Sequence, residues 1–203
     1  TLEEGYWMSP LSDRKALERV ISELEERPPQ DERLLLKWDA ELPAAVKPIS
    51  SLVKLMAKGT LDFLPNRKRI REFLKNHNQY GMDLFTAEWP IISKKVLDSF
   101  GVAFDPYEYD SELCQIIYCT FKKYVYDYIG PPSADRIMEK VLRSELEKGV
   151  KKYGERFAFG VGCLDCGIFR NEPIMTLEEF KHNLDLAKEY GVNKAVIYRL
   201  GGI

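Results

Sequence analysis

Three observations predict an α/β fold of parallel strands alternating with helices. A helical stretch hands over four times to a short, mostly apolar strand, the pattern of a parallel sheet covered by helices. Polar residues gather where each strand ends: Lys37, Asp39 and Glu41 after the first, Glu88 after the second, Asp165 after the third and Arg199 in the last. (β/α) barrels and open doubly wound sheets both work at that edge. No strand is followed by a glycine-rich phosphate loop, so the nucleotide-binding version lacks its fingerprint.

In chain order, Ser12 caps a first helix with an apolar stripe at Leu17, Val20, Ile21 and Leu24, and Pro28-Pro29 stop it. Its strand is Arg33 to Trp38. A basic amphipathic helix from about Arg67 to Asn78 leads through Tyr80-Gly81 to the strand Asp83 to Glu88. After Pro90 the spacing predicts a short helix near Ser93 to Phe100 and a long one from Asp110 to Ile129, carrying Leu113, Ile116, Ile117, Phe121, Val125 and Tyr128. Gly130-Pro-Pro132 ends it. A helix from Ala134 to Tyr153 passes through Gly154 to the strand Phe157 to Gly162. Thr176 and Glu179 then make a capping box for a helix with Phe180, Leu184 and Ala187, which stops at Tyr190-Gly191 before the strand Ala195 to Arg199. The chain therefore reads as one domain or fragment over 1–203, with a helical insertion at about 91–154.

The 203 residues carry a net charge of −2, with 45% hydrophobic and 31% charged residues, which excludes disorder and collagen-like repeats. That balance argues against a general nucleic-acid binder, and no apolar run reaches the roughly 20 residues of a membrane span. The chain opens on Thr1 and is expected to be a processed or excised piece, so its localisation is unknown.

The first chemical constellation is Lys37-Trp38-Asp39-Ala40-Glu41. Strand alternation puts Lys37, Asp39 and Glu41 on one side and Leu36 and Trp38 on the other. Three charges on one side of a buried strand require pairing or a wet cavity. Either Lys37 and Asp39 close the strand end as an ion pair, or a carboxylate acts as acid or base with Lys37 tuning it. In Thr86-Ala-Glu88-Trp89-Pro90, Glu88 is expected to project toward the same mouth as Asp39, as the second member of an acid and base pair. Its alternative roles are binding Arg199 or capping a helix. Trp38 adjoins Asp39, Trp89 adjoins Glu88, and Trp7 lies in a leading loop at the same mouth. Flat rings beside carboxylates suit a sugar, although alternation turns Trp38 itself toward the helices.

Cys163 and Cys166 form a lone C-x-x-C, and Cys114 and Cys119 lie on different faces of the expected long helix. Buried thiols or one structural disulfide fit better than metal or redox chemistry, and no cofactor is implied. His77 precedes a strand at the end opposite the carboxylates, and His182 is mid-helix, which disfavours histidine-based catalysis. Tyr107, with Tyr109, falls in an insertion placed to wall a substrate site. The run Arg67-Lys-Arg-Ile-Arg71 reads as a solvated helix face.

Leu35 to Glu41, Phe85 to Pro90, Phe159 to Asp165 and Val196 to Gly202 together resemble the C-terminal half of a (β/α)8 (TIM) barrel of the glycoside-hydrolase-like kind. The resemblance implies a partial barrel of about four β/α units with carboxylates facing a sugar-binding cleft. It makes Glu88, Asp39 and Glu41 the catalytic candidates. Lys37, Trp7, Trp89, Asp165, Arg199 and Tyr107 are the substrate-binding ones, and the partner is a small-molecule or oligosaccharide substrate. A Schiff-base, aldolase-like enzyme acting through Lys37 and a non-catalytic binding protein are the alternatives. Four strands cannot close a barrel, so a second chain or missing segment is expected to complete it.

Overall fold

A computed structural model describes residues 9–27, 32–39, 49–88, 105–162 and 174–197. Within them five parallel strands alternate with helices, the α/β class the sequence predicts. The chain divides into two compact units. One holds α1 (Arg14–Glu25), β1 (Leu34–Asp39), α2 (Ile49–Lys75), β2 (Met82–Glu88) and the turn before residue 112. The other holds β3 (Glu112–Ile117), α3 (Tyr126–Ile129), α4 (Pro131–Tyr153), β4 (Phe157–Val161), α5 (Leu177–Glu189) and β5 (Ala195–Ile197).

In the first unit α1 starts one residue later than the sequence suggests. Asp13, rather than Ser12, is the cap, accepting from the amides of Lys15 and Ala16. Asn66, buried in α2, donates to the carbonyls of Pro10 and Ser12 at 3.1 and 2.8 Å and pins the entry to α1. Helix α2 runs through Pro65 and is far longer than the expected Arg67–Asn78. Its end also comes earlier, because 77–80 tighten into a 3-10 turn that Gly81 closes at φ 69°. That turn leads into β2, which pairs with β1 from Leu34↔Met82 to Asp39↔Ala87. Register partners in a parallel pair share a face. Leu34, Leu36 and Trp38 with Met82 and Leu84 therefore meet Leu17, Ile21, Ile70, Phe73 and Leu74 of the two helices. Trp38 is part of this core, as alternation predicts.

The second unit overturns one element. Residues 110–129 do not form a helix: Glu112–Ile117 is β3, Cys119–Val125 a 3-10 segment and Tyr126–Ile129 one helical turn. Leu113-Cys-Gln-Ile-Ile117 satisfies a helical stripe, yet it is also an unbroken run buried on both faces, and periodicity cannot separate the two. The expected insertion thus contains a fifth strand. Strands β3, β4 and β5 pair in chain order, the sequence of neighbours in the wall of a (β/α) barrel. Leu113, Ile117, Phe157, Phe159 and Val161 pack against Leu142 and Leu146 of α4 and Leu186 and Ala187 of α5. The fit is close at Gly149, where a Cβ would lie 2.4 Å from the Phe157 ring.

Candidate functional site

The carboxylate pair chosen from the sequence stands at the C-terminal ends of neighbouring parallel strands. Asp39 is the last residue of β1 and Glu88 the last of β2, and Glu88 is half-buried. Asp39 pairs with Ala87, so Glu88 lies one step beyond that pair. By alternation Glu88 shares a face with Thr86 and hence with Trp38, the register partner of Thr86. Lys37 shares the other face, with Phe85. The register thus brings Glu88 to the rim beside β1 without placing it on the face of Lys37. Lys37 is exposed, as is its same-face neighbour Leu35.

Tyr107 is not brought to Glu88. The turn 105–111 sits at the opposite end of β2, where Asn78 donates to Asp110 and Lys75 pairs with Glu108 at 2.8 Å. Those contacts hold the turn where the chain enters β2. Asp110 supports the turn with φ 45°, a left-handed backbone that Asp tolerates. Tyr109 is buried in the α1–α2 core, while Tyr107 is exposed. Glu41, Trp7, Trp89, Asp165 and Arg199 lie outside the described residues, as do Cys163 and Cys166.

The densest charged cluster was not singled out from the sequence. It forms where β3 leaves the sheet and α5 begins. Lys122 Nζ lies 2.9 Å from both Asp135 Oδ1 and Glu179 Oε1, and Lys123 Nζ lies 3.0 Å from Glu179 Oε2 and donates to the Ile174 carbonyl at 2.7 Å. Tyr126 donates to Asp135 at 2.8 Å. Glu179 also completes the capping box, accepting from the Thr176 amide while the Thr176 hydroxyl accepts from its own. Burial raises the Glu179 carboxyl, but the Thr176 amide and the two ammonium groups outweigh it and hold it down at about 2. For Lys122 burial favours loss of the proton, and hydrogen bonds from its ammonium to Asp135 and Glu179 reverse that, raising its pKa. Hydrogen bonding to Lys122 likewise lowers Asp135. Groups pinned in their charged forms hold structure and make poor proton carriers near neutral pH. The cluster is a clasp between the 3-10 segment, α4 and α5. Sequence shows the capping box and two lysines, but only folding brings Asp135 to them.

Cys114 and Cys119 are buried thiols, neither of them in a disulfide. Cys114 lies in β3 and Cys119 in the 3-10 segment, in place of the expected helix. Burial pushes the Cys119 thiol up to about 12, which removes it as a nucleophile. His77 is buried with Nδ1 2.7 Å from the Leu74 carbonyl, at the end of β2 opposite Glu88. His182 is exposed on α5. Among the described residues no group of three His, Cys, Asp or Glu side chains is gathered as metal ligands would be, and no helix is long and apolar enough to cross a membrane.

No protein-family model matches the chain, and comparison with curated proteins and with solved structures finds no similar protein.

Proposed function

We propose that the chain is a carbohydrate-active, glycoside-hydrolase-like protein that works with carboxylates at the C-terminal ends of its parallel strands. The observation that carries this reading is the termination of β1 and β2 in Asp39 and Glu88. Adjacent strands lie about 4.8 Å apart. Glycosidases work with two carboxylates roughly 5–9.5 Å apart, and the reading requires Asp39 and Glu88 to meet round the strand ends, because the register gives Glu88 the face of Trp38 rather than that of Lys37. Glu41, Asp165 and Arg199 are the supporting polar residues, and Trp7 and Trp89 the sugar-stacking ones.

The Schiff-base alternative gains no support. An amine that attacks carbonyls is activated by an apolar enclosure or a neighbouring cation, and Lys37 is exposed.

The test is turnover of a panel of aryl glycosides and oligosaccharides by the wild type and Glu88→Gln. The substitution is expected to lower kcat at least about a hundredfold, the scale of a lost general acid, with unchanged circular dichroism. Equal turnover in the two proteins removes Glu88 from the mechanism. Saturable sugar binding without turnover by the wild type makes the protein a binder.

A further inference from the structure

We draw no further inference here: the strongest candidate, the exposed apolar patch of Tyr124, Val125, Tyr128 and Ile129 where the chain has left β3 and turns into α4, carries nothing, because nothing in the structure shows what covers it.

Discussion

Strand β1 buries Trp38 and leaves Leu35 65% exposed, whereas in β4 all five residues from Phe157 to Val161 are buried. Both are short apolar strands in parallel pairs, yet β1 is covered on the face that meets α1 and α2 and β4 on both. The ion clasps of the two units differ as well. Arg69 in α2 reaches Glu18 at 3.0 Å and grips Glu25 through two nitrogens at 2.8 and 2.6 Å, joining the two helices by a rigid fork. That hydrogen bonding holds Glu25 below its ordinary value. Lys122, a point charge, instead collects two carboxylates from separate helices and is helped by Lys123. The first clasp reinforces one helix pair that already shares a core. The second ties a 3-10 segment with little regular structure of its own to two helices. Stability in the second unit should therefore depend more on its central strand and its charges, and in the first more on α1–α2 packing.

The largest expected effect is at that central strand. Phe159→Ala should destabilise by about 3–5 kcal/mol, the cost of a large cavity that cannot collapse, measured by denaturant unfolding followed through tryptophan fluorescence and circular dichroism. A loss below about 1 kcal/mol would mean that the site relaxes and that β4 is not the rigid centre of its unit.

An intermediate effect belongs to the Lys122 clasp. The Glu179 carboxyl, at about 2 against an ordinary 4.5, stabilises the folded protein at pH values above about 4.5. That contribution fades as pH falls from 4.5 toward 2, where the folded carboxylate takes up its proton. Glu179→Gln should cost about 1–2 kcal/mol at pH 7, discounted for partial exposure, and should flatten the pH dependence of unfolding in that window. Identical pH profiles for the two proteins would show that the clasp is energetically silent.

The smallest effect should be on the open face of β1. Leu35→Ser is expected to change stability by less than about 0.5 kcal/mol, since the side chain already faces solvent. A loss of 2 kcal/mol or more in the same unfolding assay would mean that something covers this face in solution, and the contrast between β1 and β4 would fail.

Much of this was legible in the sequence because it rests on local chemistry. The Thr176–Glu179 capping box needs only residues three apart, and the Gly191 stop needs only a residue that tolerates φ 81°. Strand alternation identified Trp38 as core. What failed did so for identifiable reasons. Leu113, Ile116 and Ile117 fit a helical stripe and a fully buried strand equally well, and only the pairing with β4 decides between them. Glu88 was expected to project toward the same mouth as Asp39, and parity within one strand says nothing of its register with the next. The observed pairing gives Glu88 the face of Trp38. Tyr107 lies in the turn held against Asn78 and Lys75, at the end of β2 opposite Glu88, a position that only the fold gives it.

The sequence by itself determined the class of the fold and the ends of its clearest helices, because period, capping and glycine conformations act over three or four residues. It also determined which strands finish in carboxylates. Tertiary structure alone decided that 112–117 is a strand, which faces of β1 and β4 are covered, and that Lys122 meets Asp135 and Glu179. Each of these depends on residues distant in the chain arriving side by side, and the free energy of that arrival comes from burial and charge pairing that no local pattern encodes.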